Sequence, residues 1–134
     1  MGDAQPLTFR RHVVPIDAST VGRLATDTGF FRPDEIAVAV ELVKERLNRG
    51  EASGYHFVFA EAGGEVVGYT CYGHIGCTLG SYDLYWIIVD HSRQRQGIGR
   101  RLLEETERLI AEAGGRRIYI EPSNRPDYVA TREF

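Results

Sequence analysis

The chain lacks most of what would place it outside a reducing, aqueous compartment. Two cysteines in 134 residues, Cys71 and Cys77, make no disulfide framework of the kind that staples small secreted domains. No Cys-x-x-Cys or paired-histidine spacing surrounds them. With His74 between them and His91 further on, they read as a buried thiol and a loop thiol, and no metal is expected. No segment approaches the apolar length needed to cross a bilayer, and residues 1–6 have neither the basic start nor the apolar stretch of a signal peptide. A cytoplasmic setting with no membrane partner is the expectation. Basic charge is not in excess either: 16 Lys and Arg against 19 Asp and Glu leave a net charge of −3, which gives no general attraction to nucleic acid.

What is present is the composition of one soluble globular domain, 43% hydrophobic and 26% charged, long enough to bury a core. Its most informative stretch begins with Leu84-Tyr85-Trp86-Ile87-Ile88-Val89, a continuous apolar run that predicts a strand covered on both faces. Further on, Ile98, Leu102, Leu103, Thr106, Leu109, Ile110 and Ala113 recur at helical spacing, with Glu104, Glu105, Glu107 and Arg108 largely opposite. Between strand and helix lies a loop of arginine, glutamine and glycine. Gly97 and Gly99 fall at the helix's opening turn, where backbone N–H groups lack partners, the macrodipole is positive, and an anion can approach the main chain. A pyrophosphate is the natural occupant. Arg93, Arg95, Arg100 and Arg101 make the loop locally positive, and one or two of them are expected to touch phosphate while the others solvate the helix surface.

Two familiar phosphate loops do not fit. A dinucleotide fingerprint would need a small residue where Leu102 stands and an acidic residue roughly 20 positions on. A Walker loop needs Gly-Lys-Ser/Thr, but Gly99 is followed by Arg100 and Arg101. Gln94-x-x-Gly97-x-Gly99 does fit another pattern: it resembles the acetyl-coenzyme A loop of the GNAT N-acetyltransferases. The preceding Ile87-Ile88-Val89-Asp90 matches that family's apolar-x-Val-Asp/Pro strand end. The resemblance extends to the neighbouring elements. Residues 55–60 and 66–74 predict a hairpin turned at Gly63-Gly64, Gly114-Gly115 stops the helix, and Arg117-Ile118-Tyr119-Ile120-Glu121 is a short following strand.

The resemblance implies an α/β (α+β) GNAT fold, a mixed central sheet flanked by helices, in a single N-acetyltransferase domain over residues 1–134. It implies transfer of acetyl from acetyl-CoA, as cosubstrate, to a primary amine by direct attack. Main-chain groups of Ile87, Ile88 and Val89 would bond the pantetheine arm where the strand splays from its neighbour. Arg95, Gln96, Gly97, Ile98, Gly99 and Arg100 would cradle the pyrophosphate, and Asn124 corresponds to a family asparagine that contacts the cofactor. Glu121, ending the strand after the cofactor helix, is the candidate base. Asp83, His74, Tyr85 and an ordered water are the alternatives. The acceptor is a small-molecule or peptide amine; Tyr69, Tyr72, Tyr82, Asp83 and Tyr85 are candidates to line a site for a small cationic one.

Elsewhere, residues 7–14 predict a first strand, Pro15 opens a helix over residues 16–21, and Pro33-Asp34-Glu35 begins a second that ends at Asn48-Arg49-Gly50. Phe30, Phe31 and Arg32 between them are candidates for the acceptor pocket by resemblance, and core aromatics otherwise. The carboxyl end departs from the family. Residues 128–134 resemble the start of a helix that in the family carries a tyrosine acid, and the chain stops before that tyrosine and before the final strands. The fifth strand would then be an exposed edge, for which a homodimer completing the sheet, or a longer gene product, is the remedy. A noncatalytic acyl-CoA-binding module, or truncated remnant, is the alternative to an active acetyltransferase.

Overall fold

The computed structural model describes residues 6–120, together with the backbone of residues 130–133. Strand β1 (Thr8–Arg10) leads into helix α1 (Asp17–Thr28) and helix α2 (Pro33–Arg49). The hairpin of β2 (His56–Ala62) and β3 (Glu65–His74) follows, then β4 (Ser81–Val89), α3 (Ile98–Glu112), β5 (Arg117–Ile120) and β6 (Ala130–Glu133). The six strands form one sheet in sequence order. All neighbours are antiparallel except β4 and β5, which are parallel and joined through α3.

Each face of the sheet has its own core. On one, α3 packs Ile98, Leu102, Leu109 and Ile110 against Val58, Ala60, Val67, Leu84 and Ile118. On the other, Val21, Leu24 and Ala25 of α1 and Ala39 and Val43 of α2 cover Phe57, Phe59, Tyr69, Cys71 and Ile88. The alternation of strand side chains between these clusters is the two-residue period of extended chain. Cys71 is buried and Cys77 exposed, both as free thiols, the arrangement expected from sequence.

The first strand is shorter than expected and the first helix longer. β1 stops at Arg10, because Arg10 turns to donate two hydrogen bonds to Asp17, at 2.8 and 3.0 Å, and Asp17 also accepts from the Val14 N–H at 2.8 Å. That fully buried carboxylate starts α1 one residue later than Ile16, and the helix runs on through Gly22 to Thr28.

Two further expectations are corrected. Residues 130–133 are a strand, β6, rather than part of a helix, so β5 is an interior strand and not the edge of the sheet. The reason given for a dimer that completes the sheet at β5 is thereby removed. Nor is the apolar run of β4 covered throughout: Tyr85 is 41% and Ile87 37% exposed. Both lie beyond Leu84, the last β4 residue with a described pairing to β5, opposite Ile120.

Candidate cofactor and acceptor site

One break in the described pairing of β4 defines the site. Along one edge β4 pairs with β3 from Val89↔Gly68 to Tyr82↔His74; along the other, described pairing to β5 covers only 81–84 against 117–120. In an antiparallel ladder alternate residues turn their N–H and C=O away from the partner. Main-chain groups of residues 85–89 that turn away from β3 therefore have no strand partner among the described residues. Ile87, Ile88 and Val89 all lie in this segment. Their side chains divide by pleat: Ile88 is buried under α1 and α2, whereas Val89 packs on the α3 side.

The strand ends in a tightly organised turn. The Asp90 N–H donates to the Val67 carbonyl at 2.8 Å, and the Asp90 carboxylate accepts from the N–H and hydroxyl of Ser92 at 3.0 and 2.9 Å. Burial pushes the Asp90 carboxyl up, but the two Ser92 bonds together with Arg23 and Arg93 outweigh it and hold the group below the usual carboxylate range. Asp90 is thus the organiser of the loop, a role the sequence reading missed although Asp-x-Ser is a known turn signal.

Beyond it, Arg95 has φ 70° and Gly97 φ 79°, so the chain twice enters the left-handed region before α3 begins at Ile98. Gly97 is the residue before the helix and has no side chain with which to cap it. Arg101 is joined to the Gly97 carbonyl at 3.1 Å, which leaves the amides of Ile98, Gly99 and Arg100 as the unpartnered first turn. These amides and the positive helix end form a cradle to which no described side chain hydrogen-bonds. Gly99 differs from Gly97 in having an ordinary helical conformation, and a Cβ there would meet Val89 Cγ2 at 3.5 Å, ordinary contact. The backbone therefore favours glycine at 97 and only permits it at 99, where the missing methyl widens the approach to the main chain.

The arginines separate by what they touch. Arg101 lies over the Phe9 ring at 5.7 Å and braces β1 against α3. Arg100 is exposed and reaches back to within 4.0 Å of the position a Gly97 Cβ would take. Arg95 and Gln96 are exposed on the same loop. The strained φ of Arg95, a cost of about 1 kcal/mol for a residue with a Cβ, is stored where a function would use it. Beside the loop, a cleft under the start of α1 is lined by Arg10, Asp17, Arg23, Glu61, Glu65 and Asp90.

Among the candidate bases, His74 sits with Nε2 3.0 Å from the Thr78 carbonyl and its ring edge against Tyr82, in the turn at the far end of β4 from the phosphate loop. Asp83 lies in register with Gly73 and Tyr119. Glu121 and Asn124 lie outside the described residues. Of the candidate acceptor residues, Tyr69 is wholly buried beneath α1 and α2, and Tyr72 and Tyr82 pack on the α3 side. Only Asp83 and Tyr85 remain together. Phe31 packs edge to face on Trp86 with centroids 5.1 Å apart, Phe30 is exposed, and the Arg32 guanidinium is held by Asp34 at 3.1 Å. Tyr55, which meets Tyr85 edge to face at 5.7 Å, was not foreseen, because its proximity depends on the hairpin's register.

The chain has relatives among known proteins. The Acetyltransferase (GNAT) family matches residues 24–129. The N-alpha-acetyltransferase RimI of Mycobacterium tuberculosis is 42% identical over 77 residues, 56% of this chain and 47% of that protein; the chain spans about half the length of this curated relative. A crystal structure of a GNAT-family protein from Desulfovibrio desulfuricans is 49% identical, with a TM-score of 0.85 over 87% of this chain and 74% of that one. A GNAT acetyltransferase from Brucella melitensis in complex with acetyl-CoA, 19% identical, shares the fold with a TM-score of 0.72 over 97% of this chain and 89% of that one. With most of its length matched by the family and a solved relative at nearly half identity, the chain belongs to the GNAT acetyltransferase family.

Proposed function

We propose that the protein is an N-acetyltransferase that moves the acetyl group of acetyl-CoA to a primary amine, with residues 1–134 acting as one catalytic domain. The observation that carries this reading is the uncapped first turn of α3 beside the unpaired segment of β4: one suits a diphosphate, the other an amide-bearing arm running alongside a strand. Family membership and the acetyl-CoA held by the Brucella relative support it.

Bound there, acetyl-CoA would supply a thioester carbonyl for attack by the neutral amine, with coenzyme A leaving as the thiol. The amides of Arg95, Gln96, Gly97, Ile98, Gly99 and Arg100 hold the diphosphate, and the Arg95 and Arg100 guanidiniums neutralise part of its charge. Main-chain groups of Ile87, Ile88 and Val89 position the pantetheine arm, with Asn124 as a further contact. Glu121, which directly follows the last paired residue of β5, takes the amine proton, directly or through a water.

The partner is a small-molecule or peptide amine, and the RimI relative's name points to α-amines. The reading needs no nucleic acid, membrane or second copy. Among the described residues no helix is long and apolar enough to cross a membrane, and a cytoplasmic setting is part of the proposal. Calorimetry with acetyl-CoA, followed by thiol release across an amine panel, tests the reading. Binding with turnover is expected. Absence of binding to folded protein overturns it, and binding without turnover on any amine replaces it with the noncatalytic acyl-CoA-binding module.

A further inference from the structure

The register of β3 and β4 slips by one residue: Cys71 faces Trp86 and Tyr72 faces Leu84, so Tyr85 is the extra residue of a bulge. In a regular strand Tyr85 and Trp86 would point to opposite faces. The bulge puts both on the side of α1 and α2. Trp86 packs there against the second core, and Tyr85 lies against Tyr55 and over Gly73, where a Cβ would come 3.0 Å from the Tyr85 ring and 2.6 Å from the Gly54 carbonyl. Glycine at 73 thus leaves the room that the Gly54 carbonyl and the Tyr85 ring occupy. With Phe31 on Trp86, four aromatic side chains from the α1–α2 connection, the α2–β2 connection and the bulge form one ledge.

The ledge starts where the described pairing of β4 with β5 ends, immediately after Leu84, and stands on the opposite face from Ile87 and Val89. Charged groups adjoin it: Arg46 donates to the Tyr55 carbonyl at 3.2 Å, Arg32 is held by Asp34, and Asp83 stands two residues before Tyr85 and acts on its hydroxyl. Tyr85 nevertheless keeps 41% of its surface exposed. An aromatic surface with one carboxylate and two arginines at its edge suits a single amine carried on a flat apolar group better than a polyhydroxylated or polycationic molecule.

We propose that this ledge selects the acceptor, with Tyr85 as its principal specificity contact, and that the preferred acceptor is a primary amine a few bonds from an aromatic group. The same chemistry is offered by a free arylalkylamine and by a peptide beginning with an aromatic residue. This rests on the acetyltransferase reading for its role in turnover, but binding to the ledge is measurable without turnover.

Trp86 is the sole tryptophan of the chain, so its fluorescence reports directly on the ledge. Phenethylamine is expected to change it saturably, with glucosamine and spermidine at least tenfold weaker; a Phe-initiated tripeptide compared with phenethylamine separates the two sources. Tyr85→Ala is expected to weaken phenethylamine at least tenfold and to raise its KM in the thiol-release assay, Tyr85→Phe to restore both, and neither to shift acetyl-CoA affinity by more than about twofold. No response of Trp86 to phenethylamine or the tripeptide overturns the proposal, and that measurement decides the matter should Tyr85→Ala not fold. Equal or tighter binding of glucosamine or spermidine overturns it as well. Turnover of those amines without phenethylamine turnover sinks the ledge and leaves the acetyltransferase, whereas ledge binding without any turnover does the reverse.

Discussion

The Asp17 carboxylate, wholly buried, takes both ends of the Arg10 guanidinium and so ties the first strand to the first helix. Arg10 in turn bonds Glu61 on β2 at 3.0 Å and lies over the Phe59 ring at 4.6 Å. Because removing the carboxylate leaves the Arg10 guanidinium with Glu61 alone and frees the Val14 N–H, Asp17→Ala is expected to cost about 3 kcal/mol of stability. Denaturant unfolding checks this through a lowered midpoint. A loss below about 1 kcal/mol would show that the pair is well solvated and that α1 is held by its apolar face alone.

Gly97 and Gly99 are expected to respond oppositely to the same substitution. Gly97→Ala forces a Cβ into a left-handed conformation at a cost of about 1 kcal/mol. Gly99→Ala gains up to about 1 kcal/mol of helix propensity with room for the methyl. Thermal melts without ligand should show a fall for the first and a rise for the second. Melts with acetyl-CoA should then show less added stabilisation for Gly97→Ala than for the unaltered chain.

His56 gives the stability a pH dependence of known sign. Burial, and then the charge of Arg46, hold its imidazole below the ordinary value of about 6.5, with Arg11 adding to this and Glu51 opposing it. As the pH falls below about 6.5 the unfolded chain takes up this proton first, so stability is full above that value, declines toward the lower folded pKa, and levels off beneath it. His56→Gln should remove this part of the slope between pH 8 and 5, measured by unfolding in denaturant. An unchanged slope assigns the effect to another group.

Tyr69 is the inverse case. Its hydroxyl is buried with no hydrogen-bond partner among the described residues, while its ring packs against both Phe57 and Phe59, at 6.2 and 6.0 Å. Tyr69→Phe is therefore expected to be neutral or to stabilise by up to about 1 kcal/mol, and Tyr69→Ala to cost about 3 kcal/mol. Destabilisation by Tyr69→Phe would reveal a bound water at the hydroxyl.

The phosphate loop and the elements around it were legible in the chain, because their signals are local. Gly97 marks a left-handed turn, apolar residues at helical spacing mark α3, and a continuous apolar run marks β4; each follows from backbone sterics and side-chain period alone. The hairpin was legible for the same reason, from its paired runs around Gly63-Gly64. The expected helix at residues 128–134 was not borne out: a seven-residue segment has too few turns for its period to decide, and pairing with β5 made residues 130–133 a strand.

What the sequence by itself determined, then, is the order of elements and the positive, glycine-bearing end of α3, since both depend on interactions within a few residues. Only the tertiary structure decided where β4 loses its partner, that Tyr85 and Trp86 share a face, and that Tyr55 and Phe31 come to meet them. Those relations depend on strand register, and a slip of one residue reverses the face of every side chain beyond it, a difference that no local pattern in the chain records.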